Sequence, residues 1–590
     1  MHIGNRTGGP GDAPDDGAAR LEEFGYTRLA ADANGAATNG DGHQNQQQKQ
    51  LAPLTAKDRE LLLVFGPAFA RRWSFWAGAL RALVQGALMG LVALGFYCAF
   101  EGFADFAWNT EAYQDGLAHG GRGAPGNGEW YYVGMGAAAG LAVGALKCAW
   151  SAFVCEIPAD LPGLFVEVKD LYCHHPLQAP CVVLCSAVSL ACGCSVGPEA
   201  AMGSAGAALG MGVSRLVAWW RGRALAFGAR AGGAGADVAP SAETEMDVLT
   251  GMAGAMGAIF PSPLGGVLLL HELGLAAEAT GDRRKLPSFM EVVAQTGLAA
   301  ASSYAVFVGL KQLTFLKAFK LPVSANDLVA FEVADMGTAV WLGVVGGVTG
   351  LVGVVCMGLL RKAGDAVRAR LDALGARCGL DRGPRGGVRL GLLLTPVVGG
   401  VLYGLLAVAF PLTLGDGNAQ LKVVIAQGRH LGAGALVATG VGKMLCLGVC
   451  LGFGFVGGQI FPLIFAGACV GMALVVASIP AAPAAAAAAL AAGLPLPHLP
   501  PAPALPLVLV VPCLIVAVPC AFAPAVFTMV VITCLLLELG GGMAAPVFVA
   551  GVVSFTTVCG LGLIQRLITR GKALDDDEDE EAEDGGGAHH

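Results

Sequence analysis

The 590-residue chain is short of charge: Asp, Glu, Lys and Arg together make up 14% of it, where soluble domains carry about 25%. So few charges cannot cover a water-facing surface of this size, whereas a lipid-facing surface needs none. A surplus of positive charge is missing too. Lys and Arg number 36 against 44 Asp and Glu, a formal net charge of −8, which excludes a broad nucleic-acid binder. The 17 cysteines show no paired zinc spacing. Cys192 and Cys194 make only a C-x-C, and most others sit in apolar runs as small hydrophobes. No H-E-x-x-H is present, no cofactor or metal is expected, and an intramembrane enzyme built on Glu272 and His271 is the weaker reading.

What is abundant is apolar: 55% hydrophobic residues and 88 glycines, with a mean hydropathy of +0.64. The chain therefore reads as an all-helical, multi-spanning membrane protein. Its charge is unevenly spread. Asp575 to Asp584 and residues 1–60 are acidic, and between them lies a sparsely charged, slightly basic body. The organisation expected is a disordered cytosolic tail over 1–60, a membrane repeat over 61–310, a second over 336–564 and a cytosolic acidic tail over 565–590. A Pro/Ala-rich loop at 480–506 interrupts the second repeat. Arg71 and Arg72 before the first span favour a cytosolic N-terminus, and the basic stretch 361–389 reads as a cytosolic loop. Which membrane is involved is not written in the sequence. Several apolar segments, such as 178–194 and 263–277, are too short to cross about 30 Å of hydrocarbon. Such segments enter and stop, with their ends buried in protein or lining a cavity.

Two glycine-rich segments resemble each other across 261 residues: GCSVGPEAAMGSAGAALGMG (193–212) and GFVGGQIFPLIFAGACVGMA (454–473). Gly193 matches Gly454, Gly197 matches Gly458, and Met211 matches Met472. An internal duplication with a substrate site at the repeat interface follows. Each segment runs from small residues into an apolar helix, and two such helix N-termini would aim free N–H groups at one spot. That spot binds an anion without a fixed cation. Glu199, in the first turn, can occupy the anion position itself, and protonation would release it. The plainer alternative is a carboxylate capping its own helix.

These motifs resemble those of the CLC family of chloride channels and proton/chloride antiporters. GPEAAMGSAG is similar to its G-[RK]-E-G-P segment, GGQIFPLIFAG to its G-x-F-x-P segment, and IFPSPLGGVLLLHELG (259–274) to its helix ending in a pair of glutamates. The resemblance implies two inverted-topology repeats with re-entrant and broken helices, assembled as a homodimer. It implies movement of chloride or a similar small anion, gated by voltage or pH at Glu199, with proton-coupled antiport as the alternative. Backbone contacts to the anion would come from Gly197, Glu199, Ala200, Gly458, Ile460 and Phe461. Glu272, His271 and Glu538 are candidates for a proton path or for structural roles, and Glu538 would be the second repeat's partner of Glu272. Several family features are absent. Pro198 stands at the usual Arg or Lys, Leu273 at the second glutamate, and VSFTTVCGLGLI holds no tyrosine. CEIPADLPG (155–163) only weakly matches the family's serine turn. The pattern resembles the divergent branch that lacks cytosolic CBS domains.

Overall fold

The computed structural model describes residues 73–108, 129–154, 176–220, 242–260, 262–278, 289–311, 333–379, 389–479 and 505–560, all within the unit Ala68–His590. The expected tails, most of the 480–506 loop, CEIPADLPG and residues 561–564 lie outside them.

The first half holds α1 (Trp73–Trp108), α2 (Glu129–Phe153), α3 (Ala179–Ala191), α4 (Glu199–Trp220), α5 (Ala242–Ile259), α6 (Pro263–Glu278) and α7 (Phe289–Lys311). The second holds α8 (Val333–Arg377), α9 (Leu390–Ala409), α10 (Asn418–Leu431), α11 (Ala433–Gly452), α12 (Ile460–Ser478), α13 (Leu507–Cys520), α14 (Val526–Leu536) and α15 (Ala544–Phe555), closed by a π-turn over Thr556–Gly560. Among the described residues there is no strand, only one isolated antiparallel bridge between Gly197 and Gly458.

The duplication reaches far beyond the glycine motifs. Advancing the first residue of α2 and of α4 by 261 gives the first residue of α9 and of α12, and the same step from α1 misses α8 by one residue. The polar helix α10 interrupts the apolar series and was not foreseen. Its equivalent positions in the first half, 157–170, lie outside the described residues.

Among the described residues, eight helices are long and apolar enough to cross a membrane. The 13 residues of α3 reach only about 20 Å at 1.5 Å per residue, and the 11 of α14 fewer still. The two halves make contact through glycine. Gly136 of α2 and Gly400 of α9 lie so close that a Cβ on either would overlap the other's carbonyl, the close backbone approach that small residues permit between membrane helices. Helix α8 runs 45 residues, about 67 Å, well past its expected apolar end at 360. Its basic continuation keeps helix-forming Ala, Leu and Arg, and Asp372 accepts a bond from Gly391 N at 2.8 Å, tying the extension to the start of α9.

Candidate functional site

The site begins with two equivalent turns. After α3 the chain reverses at Gly193 (φ 78°), and after α11 at Gly454 (φ 94°), a left-handed conformation open to glycine. Both turns close the same way. Cys194 N donates to Ser189 O at 2.9 Å and Phe455 N to Cys450 O at 2.9 Å, while Gly193 N donates to Leu190 O and Gly454 N to Leu451 O three residues back, the pattern of a Schellman C-cap. Each turn's carbonyl is then held from the α2–α9 pair. Tyr403 of α9 donates its hydroxyl to Gly193 O at 2.5 Å, and Lys147 of α2 donates to Gly454 O at 2.5 Å.

From these turns the two segments run towards one another until Gly197 and Gly458 exchange backbone bonds. Helices α4 and α12 start immediately afterwards, so their N-terminal N–H groups converge. The carboxylate of Glu199, the first residue of α4, lies at that convergence and is fully buried. Its Oε1 accepts from Phe461 N of the other half at 3.0 Å, and the backbone N–H groups of Glu199 and Ile460 also bear on it. Room for the carboxylate comes from the bridge: a Cβ on Gly197 or Gly458 would overlap Glu199 Oε2. The Phe461 ring stacks on Phe260 of the first half with centroids 5.8 Å apart. Thus Gly197, Glu199, Gly458, Ile460 and Phe461 come together, and Ala200 follows buried on the same first turn. Pro198 precedes the helix, its carbonyl accepting from Met202 N at 3.0 Å.

Two charged residues nearby were not singled out from sequence. Lys443 of α11 is fully buried, donates to Thr413 O at 2.9 Å and Gly415 O at 2.5 Å, and lies 5.2 Å from the centroid of the Phe465 ring. Asp416 caps Asn418 N at 2.9 Å and interacts electrostatically with both Lys443 and Glu199. The second half thus buries a lysine whose ammonium is engaged by backbone carbonyls rather than by Glu199. The signal was available: a lysine inside an apolar run is functional by default in a membrane.

The other candidate titratable groups lie elsewhere. Glu272 of α6 accepts from Phe527 N at 2.7 Å, Thr528 N at 2.9 Å and Thr528 Oγ1 at 2.5 Å, so it caps the N-terminus of α14. His271 is bonded through Nδ1 to Val267 O at 2.8 Å. Glu538 follows α14 in a left-handed turn (φ 49°), whereas Glu272 lies inside α6. Gly193–Gly197 also spell G-x-S-x-G, the spacing of a hydrolase nucleophile. Ser195, however, is fully buried and sits between two helices, without the strand-to-helix elbow that chemistry requires.

The geometry defines a helical membrane transport protein whose two halves jointly build an intramembrane site. The family model described as "Voltage gated chloride channel" matches residues 169–559, and the chain belongs to this family, the CLC family. Curated relatives in Salmonella newport and Salmonella typhimurium, described as "Putative ion-transport protein YfeO", are 25% identical over 406 residues, 68% of this chain and 82% of theirs. Among solved structures, a slow cyanobacterial Cl−/H+ antiporter is 15% identical with a TM-score of 0.57, over 84% of this chain and 98% of that one. A CLC-type fluoride/proton antiporter is 15% identical with a TM-score of 0.51, over 82% and 95%. These similarities support the fold. The chain is an ion-transport protein rather than an enzyme, and spans the membrane repeatedly.

Proposed function

We propose that this protein moves chloride or a similar small anion across a membrane and that Glu199 is its gate. One observation carries the reading: the Glu199 carboxylate occupies the point where the N-termini of α4 and α12 converge, bonded to Phe461 N of the opposite half. Helix N-termini attract anions, so the side chain holds the place of the transported ion. Protonation removes its charge and its claim on those N–H groups, leaving the place to a mobile anion. Acid should therefore raise flux.

Two features favour a channel over strict proton-coupled exchange. Leu273 stands where the second glutamate would be, and Glu272 is committed to capping α14. The proton-coupled alternative draws on the structural neighbours described as antiporters. The proposal extends to a homodimer with one pathway per subunit, to cytosolic termini, and to the 61–310 and 336–564 repeats as the transport unit. Anion efflux from liposomes containing the purified protein, followed together with internal pH, tests it. Anion efflux without proton movement supports the channel, proton uptake in fixed ratio to efflux supports exchange, and no efflux at any pH defeats both.

A further inference from the structure

A cavity of about 230 Å³ opens where the end of α2, the basic extension of α8, the start of α9 and the end of α11 meet. Lys147, Arg361, Arg368 and Arg389 line it, with Asp365 as the carboxylate among them. It is separate from the gate, since neither Glu199 nor Gly197, Gly458 or Phe461 contributes to its wall.

Its wall also carries an unmet polar group. Thr395 of α9 is 4% exposed, and its Oγ1 has no hydrogen-bond partner among the described residues. A buried hydroxyl without a partner is unfavourable, and a ligand oxygen would satisfy it. The wall also holds the Lys147 ammonium, 5% exposed and anchored on Gly454 O. Arg361, Arg368 and Arg389 are exposed. Guanidinium groups present paired N–H donors whose spacing matches two oxygens of one carboxylate or phosphate. A halide has a single centre and cannot use that fork, and the room exceeds what one halide fills. A tetrahedral oxyanion can accept from several of these donors at once, including the Thr395 hydroxyl.

We propose that this cavity binds a phosphate-type oxyanion, either free in solution or as the phosphate of a lipid headgroup. The cavity lies on the basic extension of α8, and the stretch 361–389 holds eight Lys and Arg in sequence, which favours the cytosolic side by charge bias.

The test uses the full chain in nanodiscs. In one arm, discs of phosphatidylcholine are titrated calorimetrically with inorganic phosphate. In the other, discs containing phosphatidic acid are compared with phosphatidylcholine alone by native mass spectrometry for retained lipid. Binding in the first arm identifies a soluble ligand, and retention in the second alone identifies a headgroup. In whichever arm responds, Arg368→Gln with Arg389→Gln should weaken binding at least tenfold, and Thr395→Val several-fold with an unchanged unfolding temperature. Glu199→Gln should leave binding as it was. No response in either arm, or a response that all three cavity substitutions leave intact, overturns the proposal.

Discussion

Gly197 and Gly458, 261 residues apart in sequence, donate to each other's carbonyls at 2.8 and 2.7 Å. The pair joins equivalent points of the two halves as a reciprocal antiparallel bridge, so each half approaches the other head to tail. The two missing Cβ atoms are what admit the Glu199 carboxylate. One feature thus sets both the symmetry of the fold and the room at its centre.

Glu199→Gln should raise anion efflux and flatten its dependence on pH. The amide keeps the shape of the side chain but carries no charge at any pH, so it stands in for the protonated gate. Efflux measured between pH 5 and 8 checks this. A pH profile as steep as that of the native protein would reduce Glu199 to a helix cap.

Gly458→Ala should reproduce that phenotype without touching the glutamate. Its Cβ occupies the volume of Glu199 Oε2, so the carboxylate is driven from its seat. Gly212→Ala is the control. It lies in α4 with nothing within 4 Å of the added Cβ, and should leave efflux and its pH profile unchanged. Equal pH profiles for Gly458→Ala and the native protein would contradict the seat.

Glu272→Ala should act on stability rather than gating. It strands the N–H groups of Phe527 and Thr528, a loss of about 1–3 kcal/mol. The unfolding temperature in detergent should fall while the pH profile of efflux keeps its shape. A changed profile would return Glu272 to the proton path.

Lys443→Met should be the most damaging of these. It removes the donor to Thr413 O and Gly415 O and strands both carbonyls, at about 1–3 kcal/mol for each buried group left unsatisfied. Loss of the folded fraction in size-exclusion chromatography is the expected outcome.

Much of this was legible in the sequence, for identifiable reasons. The glycines at 193, 197, 454 and 458 are needed by a left-handed turn or a close approach, so their spacing showed the duplication and its centre. The place of Glu199 at the meeting of α4 and α12 was legible because an acid stands beside such glycines at the start of an apolar run. Lys443 and Tyr403 escaped notice because their partners are carbonyls, Thr413 O, Gly415 O and Gly193 O, which every residue possesses and no residue advertises. Helix α10 is polar enough to read as a loop, and the basic end of α8 reads as a cytosolic loop for its charge. LLLELG looks like LLLHELG, yet Glu538 follows α14 in a left-handed turn while Glu272 lies inside α6.

The bond from Phe461 N to Glu199 joins residues 262 positions apart. At about 5–20 residues per second of synthesis, the acid emerges from the ribosome roughly a quarter of a minute to most of a minute before its partner exists. Throughout that interval the carboxylate at the head of α4 lacks the bond from Phe461 N that the finished fold supplies. That contact is therefore among the last features of the molecule to be completed, and a chain interrupted before Phe461 leaves the head of α4 without the partner that the opposite half supplies.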